Sequence, residues 1–315
     1  MTDIYPNKLR AILITGVSGF LGRVIAHHFS RRGILVYGVD HSSAENAPMA
    51  ELEAYCALTL PEPQFESLLA EWRPQAIIHC AGRASVPQSM QNPMEDYRQG
   101  PALTFFVLDV IRRIIPESAF LLLSSAAVYG NSSHLPISED TSIRPLSAYG
   151  YHKLQSEMIC AEFANVFGLR TASARVFSAY GPGLRRQVMW DIVYKALTQS
   201  EVRLQGTGQE SRDFIHVRDV ASGLDTILTK APLSGEAHNL ASGVETRIAD
   251  LAKLILHEIE NPPPLTFSGE LPPGTPKNWQ ADIQQISKLG FQPQVTLADG
   301  VSNFVAWCRN EVQGV

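Results

Sequence analysis

Short apolar runs recur along the first half of the chain and are separated by segments with helical periodicity. The runs lack polar alternation, which is typical of buried parallel strands. They predict strands at Ala11–Thr15, Leu35–Asp40, 76–80, 120–125 and 171–175. The segments between and after them predict helices at 21–32, 65–71, 94–115 and 149–167. This order predicts an α/β fold with a Rossmann-type doubly wound parallel sheet and right-handed crossovers.

Beyond Ser178 the pattern changes to short strands and helices punctuated by glycine and proline. We therefore expect two domains. Residues 1–177 would form the dinucleotide-binding domain, which also carries the catalytic residues. Residues 178–315 would form a smaller α/β substrate lobe, from which some chain crosses back to the sheet.

The predicted helix at 94–115 carries two apolar stripes at helical spacing. The first stripe is Leu103, Val107, Val110 and Ile114, and the second is Phe105, Leu108, Ile111 and Ile115. One stripe can face the sheet, so the second needs other cover. Burial beneath the second lobe would provide it, but we favour the interface of a homodimer.

Composition excludes several other classes of protein. The net charge of −5 gives no overall basic field for nucleic acid or anionic lipid. No apolar run approaches the roughly 18 residues of a membrane helix. The four cysteines lie far apart and form no CxxC pair, which argues against a zinc site or a disulfide framework. We expect a cytoplasmic protein with no metal and no nucleic-acid or membrane partner.

A glycine-rich motif follows the first strand and opens the first helix. Gly16 would make the turn, Gly19 would let the backbone approach a pyrophosphate, and Gly22 would permit close helix packing. The helix N-terminus would then face the phosphates. Asp40 ends the second strand, where a carboxylate can accept hydrogen bonds from both ribose hydroxyls and repel a 2′-phosphate. The pattern predicts NAD as cofactor; the alternative role for Asp40 is a strand-end cap.

A candidate catalytic group lies at the end of the fourth strand and the start of the next helix. Tyr149 and Lys153 are four residues apart, so they share one helix face. A nearby ammonium and an oxidised nicotinamide both favour the phenolate, which could then take a proton from a sugar hydroxyl. The Ser125 hydroxyl could stabilise the same oxygen. Ser124 could contact the cofactor or instead satisfy backbone groups at the strand end.

These motifs occur in the order found in one known family. The chain resembles the extended short-chain dehydrogenases/reductases, within them the NAD-dependent nucleotide-sugar epimerase/dehydratase family, and most of all the UDP-hexose 4-epimerases. The resemblance covers nearly the whole chain. It rests on Gly16/Gly19/Gly22, Ile78-His79-Cys80-Ala81-Gly82, Ser85-Val86 with Asn92-Pro93, Ser125/Tyr149/Lys153, Tyr180-Gly181-Pro182, the segment from Arg212 to Asp219, and Ala281-Asp282.

The resemblance implies a set of site residues. Those expected at the cofactor are Gly16, Ser18, Gly19, Phe20, Leu21, Gly22, Asp40, His41, Ala81, Gly82, Arg83, Ser124, Tyr149 and Lys153. Those expected at the sugar nucleotide are Ser85, Ser125, Ser178, Arg185, Gln187, Gln205 and Arg212. Arg212 would meet the diphosphate, a task suited to a guanidinium. Its alternative is a salt bridge to Asp213 or Glu210.

Departures from the family pattern at three places point to an unusual sugar or nucleotide. Gly100 stands where the family usually has Asn, and Ser178 where a substrate-contacting Asn is common. The usual RPGD segment reads Pro272-Pro273-Gly274-Thr275 and so lacks an arginine. Arg185 or Arg186 could replace that charge.

The residues after Ser125 distinguish between reactions of the family. Dehydratases place an Asp-Glu pair there, whereas this chain has Ala126 and Ala127, which cannot move a proton. We therefore expect 4-epimerisation of a nucleoside-diphosphate hexose through a transient 4-keto sugar. The alternative is an NAD(P)H-dependent reductase of nucleotide 4-keto sugars. A third hypothesis is a non-catalytic NAD(H)-binding regulatory protein.

Overall fold

The computed structural model describes residues 9–271 and 274–313. Its strands are β1 Ala11–Thr15, β2 Leu35–Asp40, β3 Ala54–Ala57, β4 Ala76–His79, β5 Ala119–Ser125, β6 Arg170–Val176, β7 Ser178–Tyr180, β8 Val202–Leu204, β9 Ser211–His216, β10 Ser234–Leu240, β11 Glu245–Arg247 and β12 Leu265–Phe267. Its α-helices are α1 Phe20–Arg31, α2 Gln64–Trp72, α3 Val86–Gln91, α4 Pro93–Tyr97, α5 Leu103–Ile114, α6 Ala148–Phe167, α7 Gln187–Thr198, α8 Val217–Lys230, α9 Ile248–His257, α10 Gln284–Lys288 and α11 Leu297–Gln313.

Within these residues, seven strands pair in parallel in the order β10-β6-β5-β4-β1-β2-β3. One face is covered by α1 and α8, and the other by α2, α5 and α6. The prediction of a Rossmann-type doubly wound sheet is confirmed. The strand order reverses at β1, so a crevice is expected between the carboxyl ends of β1 and β4, where such folds bind ligands.

The helix predicted at 94–115 is interrupted. The observed segment consists of α4, a π-helical turn over Arg98–Ala102, and α5. Pro101 lies inside that turn and has no N–H to continue an α-helical ladder. The wider turn accommodates it without ending the helical path.

Both apolar stripes of this region are covered within the chain itself. Leu108, Ile111 and Ile115 of the second stripe are fully buried in a core that the sheet, α2 and α6 complete. Neither burial beneath the second lobe nor the favoured dimer interface therefore covers them, because they are fully buried within one chain and no described residue beyond Leu169 belongs to that core. Only Phe105 is exposed, at 47%.

The second half of the chain builds a smaller lobe around its own apolar core. That core is formed mainly by α7, α9 and α11 with β8 and β9. Two small sheets accompany it, one with the order β11-β9-β7 and one that pairs β12 with β8. Between β9 and β11 the chain returns to the large sheet, where α8 packs on one face and β10 pairs with β6.

Candidate active site

The glycine loop after β1 is packed too closely for side chains. Gly16 has φ +73°, and a Cβ there would lie 2.7 Å from Ala81 N. A Cβ at Gly22 would lie 2.3 Å from Gly16 O. Gly19 is the N-cap of α1, and no side chain caps the first turn or places an acidic group there. The donors of this helix end therefore face the crevice beside the glycine loop, which suits a pyrophosphate.

Asp40 ties the loop to the end of β2. The buried carboxylate accepts hydrogen bonds from Ser18 N at 3.0 Å and Ser42 N at 3.1 Å. The exposed His41 lies beside it, with Nδ1 at 2.9 Å. Asp40 thus acts as a strand-end cap, the alternative role considered for it, and its Oδ2 keeps a lone pair beyond the one that Ser18 N occupies. Phe20 and Leu21 begin α1 and pack on the smaller lobe and the main core respectively.

The segment after β4 closes the other side of the crevice. Ala81 N donates to Thr15 Oγ1 at 3.4 Å, and Gly82 has φ +115°. Arg83 is half-buried, and Ser85 caps α3 by accepting a bond from Gln88 N. His79, at the end of β4, is buried against Thr15 Oγ1 at 2.7 Å, and burial lowers its pKa to about 3. It is therefore a neutral packing residue.

The predicted catalytic residues meet at the carboxyl edge of β5. Ser125 ends that strand and accepts a hydrogen bond from Ala127 N at 3.2 Å. Tyr149 and Lys153 lie on one turn of α6, with Lys153 Nζ 5.8 Å from the centre of the Tyr149 ring. Lys153 Nζ donates to Leu123 O at 2.8 Å, which holds the ammonium against β5. A hydroxyl, a phenol and a cation thus converge on one edge.

The start of α6 fits tightly against the turn that follows Ser125. A Cβ at Gly150 would lie 2.6 Å from Ala127 O. Tyr149 N donates to Ser89 Oγ at 3.0 Å, and Ser147 Oγ caps the helix by accepting from Gly150 N at 3.2 Å. These contacts, which the sequence analysis did not identify, fix the direction in which Tyr149 leaves the helix.

The Ser124 hydroxyl turns away from this edge. Because successive strand residues face opposite sides of a sheet, it donates into the protein, to Glu157 Oε1. This differs from the predicted cofactor contact of Ser124, which would have to use its backbone.

The guanidinium of Arg212 is held by backbone carbonyls and by an aromatic ring. Its Nη1 donates to the carbonyls of Ser211 at 2.6 Å and Lys277 at 3.1 Å, and its guanidinium lies 5.3 Å above the Trp279 ring. Burial lowers its pKa to about 10, which leaves it charged at neutral pH.

The alternative role of Arg212, a salt bridge, is wrong. Asp213 instead accepts hydrogen bonds from Ser242, Gly243 and Ala281, and Glu210 accepts from Thr207 and Gly208. No carboxylate in the described ranges pairs with the guanidinium. A guanidinium held by carbonyl groups and an aromatic ring, with no carboxylate paired to it, can accept an anion such as a diphosphate.

The other residues predicted at the sugar nucleotide are less closely defined. Ser178 starts β7, which pairs with the strand of Arg212. Gln187 and Gln205 are exposed, Gln187 with φ +67° at the start of α7. Arg185 differs from the prediction. It pairs with Glu311 and lies 5.6 Å above Trp307, because α11 offers it both a carboxylate and an aromatic face. Pro272 and Pro273, of the altered RPGD segment, lie outside the described residues.

A buried ion pair behind the catalytic edge was missed by the sequence analysis. Glu157 of α6 and Arg175 of β6 approach to 2.8 Å, with both side chains at least nine-tenths buried. The available signals were an arginine at the end of the predicted strand 171–175 and a carboxylate one helical turn after Lys153.

The chain is similar in sequence to known proteins over most of its length. The sequence model of the NAD dependent epimerase/dehydratase family matches residues 12–241. The UDP-glucose 4-epimerase of Mycolicibacterium smegmatis is 27% identical over 315 residues, 96% of this chain and 99% of that protein. The GDP-6-deoxy-D-mannose reductase of Pseudomonas aeruginosa is 28% identical over 252 residues, 78% of each protein.

A solved structure is similar over almost the same range. The UDP-glucuronic acid 4-epimerase of Bacillus cereus, in complex with UDP-glucuronic acid and NAD, has a TM-score of 0.88 at 25% identity. The similarity covers 96% of this chain and 99% of that one. The predictions of the family and of NAD as its cofactor are confirmed. The chain belongs to the NAD-dependent epimerase/dehydratase family.

Proposed function

We propose that this protein is an NAD-dependent 4-epimerase of a nucleoside-diphosphate hexose, with a UDP-hexose as the first candidate. The observation that carries the proposal is the convergence of Ser125, Tyr149 and Lys153 at the carboxyl edge of β5. Ala126 and Ala127 follow directly and offer no acid or base for dehydration. The relatives named as 4-epimerases support the same reaction.

The residues of the crevice fit NAD. Gly16, Gly19 and Gly22 would leave room for the pyrophosphate at the start of α1, and Asp40 would hold the adenosine ribose. When bound, NAD⁺ supplies a reversible hydride acceptor at the substrate carbon.

The catalytic residues would act on the sugar C4 hydroxyl. Tyr149 would take its proton as the carbon becomes ketonic and return a proton when the hydroxyl forms again. Ser125 would donate a hydrogen bond to the same oxygen, and Lys153 would favour the phenolate through its charge. Arg212 would keep the diphosphate anchored while the 4-keto sugar turns over.

The direct test is to incubate the purified protein with UDP- and dTDP-hexoses and to follow the C4 configuration by NMR. Epimerisation of at least one sugar nucleotide is expected without added cofactor. Failure with every sugar nucleotide, although NAD⁺ is bound, would contradict the proposal.

Replacing Tyr149 by Phe tests the assigned base. Tyr149→Phe is expected to lower kcat by about 10²–10⁴-fold, because it removes the proton acceptor, and to leave the affinity for NAD nearly unchanged. Tyr151→Phe is the matched control, since Tyr151 is 52% exposed on the same helix. Equal kcat values for the two variants would show that Tyr149 is not the base.

A 4-keto sugar reductase is the second candidate, favoured by the similarity to the reductase of Pseudomonas aeruginosa. Stoichiometric consumption of added NADH or NADPH with a nucleotide 4-keto sugar would support it. Asp40 favours NAD(H) over NADP(H), whereas tightly retained NAD⁺ would support epimerisation.

We also propose that the protein forms a homodimer through α5 and α6. Phe105, Tyr151, Met158 and Phe167 of these helices are between 45% and 63% exposed. Phe105 and Phe167 contact the same ring, that of Phe163. Four large apolar side chains exposed on two adjacent helices favour the association of two copies of the chain.

Sedimentation velocity tests the dimer. The native protein should have twice the mass of one chain, and Met158→Asp should shift it to the monomer. Val244→Asp replaces an equally exposed apolar residue, 60% exposed in the smaller lobe, and should have no effect. A native monomer would contradict the proposed interface.

Three further predictions remain part of this proposal. The division into residues 1–177 and 178–315 is retained as the functional division. A cytoplasmic location and a role in supplying sugars for polysaccharides are expected. Among the described helices none is both long enough and apolar enough to span a membrane.

A further inference from the structure

A cluster of polar side chains is buried directly behind the catalytic edge. It joins α6 to three strands of the large sheet and to the segment after Ser125. Its members are Ser124, Tyr129, Glu157, Arg175 and Asn239, none more than 7% exposed. Burying an ion pair gives little or no gain in stability over apolar side chains of similar volume. The cluster therefore calls for an explanation other than stability.

The first connection holds α6 against β5 at two consecutive strand residues. Lys153 Nζ donates to Leu123 O, and one helical turn later Glu157 accepts from Ser124 Oγ. Together these bonds fix both the rotation of α6 and its position along β5, which apolar packing would define less sharply.

The second connection runs through Arg175 to the segment that follows Ser125. Arg175 Nε and Nη2 donate to the two oxygens of Glu157, at 3.1 and 2.8 Å. Its Nη1 donates to Tyr129 Oη at 2.8 Å, and that hydroxyl donates to Asn239 Oδ1 at 2.7 Å. Tyr129 ends the short turn Ala126–Val128, which begins directly after Ser125.

We propose that Glu157, Arg175 and Tyr129 are positioning residues that hold Lys153 and Ser125 in one fixed relation to Tyr149. This inference rests on the proposed function. The ion pair acts through geometry and through charge. Glu157 neutralises the guanidinium, which would otherwise be an unpaired buried cation behind the catalytic ammonium.

Other titratable groups surround Lys153 and set the background for this effect. Lys153 interacts electrostatically with His79 and Cys80 at the end of β4 and with Cys160 on α6. Tyr149, His152 and Glu157 share α6 with it. Behind these groups, Asp96 of α4 pairs with His152, Arg175 of β6 pairs with Glu157, and Asp40 of β2 acts on Cys80. Replacing Glu157 by a neutral residue removes one negative charge, so the net charge of this set of groups becomes more positive. A positive change favours the phenolate of Tyr149.

Two variants and one control test the proposal in the NAD-loaded protein. Tyr129→Phe deletes the hydroxyl link from Arg175 to Asn239 and keeps the ion pair, together with the second link that Glu139 makes between the same two residues. Glu157→Gln keeps the shape and removes the charge. Tyr180→Phe is the control, because Tyr180 is equally buried and its hydroxyl has no hydrogen-bond partner in the described part of the chain.

Both variants are expected to lower kcat about tenfold on the sugar nucleotide that the native protein epimerises, with little change in KM. The midpoint of the Tyr149 titration is followed by tyrosinate absorbance against the Tyr149→Phe background. It should move to lower pH in Glu157→Gln and stay in place in Tyr129→Phe. Tyr180→Phe should match the native protein in both measurements.

The outcomes separate the two proposals. A native protein without epimerase activity contradicts the proposed function, and the tyrosinate titration, which needs no sugar, still decides whether the charge of Glu157 acts on Tyr149. Native kcat and an unshifted titration in Glu157→Gln would overturn the positioning role. If Glu157→Gln does not fold, native kcat in Tyr129→Phe would overturn it.

Discussion

At Gly22 a Cβ atom would approach Gly16 O to 2.3 Å and Val17 Cα to 2.7 Å. Both neighbours are backbone atoms of the glycine loop, so they can move only if the loop moves. Gly16 is constrained in the same way by Ala81 N and by its positive φ. The absence of side chains here is therefore a requirement of the fold, and the proposed pyrophosphate site would be a second reason for it.

Gly22→Ala is expected to weaken NAD binding at least tenfold, because the loop must shift away from the start of α1. Titration calorimetry with NAD⁺ on cofactor-free protein measures this. Gly33→Ala is the control. Gly33 also has a positive φ, +74°, but nothing lies within 4 Å of its Cβ position. It should lose about 1 kcal/mol of stability and no NAD affinity. Unchanged affinity in Gly22→Ala would contradict the assignment.

Single residues were predictable where their chemistry is unusual for their position. The glycines, Asp40 and the Ser125, Tyr149 and Lys153 group are examples. Arg185 was less predictable, because its partners Glu311 and Trp307 are more than a hundred residues away in sequence. The hydrogen bond of the Ser124 hydroxyl was equally hard to predict, because tertiary packing sets the position of its partner, the Glu157 side chain.

Among the elements, α6 links the catalytic residues to the rest of the sheet. Ser147 caps its N-terminus, and Gly150 lets its first turn contact Ala127 O. The helix ends at Gly168, whose φ of +69° is typical of a C-terminal cap. Local sequence therefore defines both ends of this helix, and the prediction of 149–167 was close to the observed Ala148–Phe167.

Ser147→Ala is expected to lower the free energy of unfolding by about 1 kcal/mol, because Gly150 N loses its capping partner. Urea unfolding measures the change. Ser67→Ala is the matched control, since Ser67 is exposed within α2 and its side chain makes no hydrogen bond to the described part of the chain. A loss of stability of the same size in both variants would mean that the cap is unimportant.

Elements that depend on tertiary structure were harder to predict. The helical periodicity continues through Arg98–Ala102, so the π-helical turn around Pro101 leaves no break in the apolar pattern. The edge strand β3 is only Ala54–Ala57 and was not predicted, because four residues, two of them alanines, are too short a run to carry a strand signal.

For the whole molecule, the parallel sheet places several polar groups in a dry interior. His79 is the last residue of β4, inside the parallel sheet, and is 2% exposed. Its neutral form is compatible with burial, and its hydrogen bond to Thr15 Oγ1 satisfies one ring nitrogen. Burial lowers its pKa from 6.5 to about 3.

This shift predicts a loss of stability in acid. Between pH 6.5 and about 3 the unfolded chain binds a proton at His79 and the folded chain does not. Stability due to His79 is therefore complete above pH 6.5 and falls as the pH decreases, by about 2 kcal/mol at pH 5. Denaturant unfolding of the native protein and of His79→Gln should show a smaller pH dependence in the variant. Parallel curves would contradict this account.

The pairing of β10 with β6 has a consequence for dividing the polypeptide. A fragment ended at residue 177 would retain the glycine loop and the catalytic group, but the amide and carbonyl groups along β6 would be left as an open margin. Such a margin invites pairing with another copy, and so aggregation. The complementary fragment would contain β10 without β6, the strand with which it pairs. We therefore expect the two fragments to associate when they are co-expressed and to be unstable when each is produced alone.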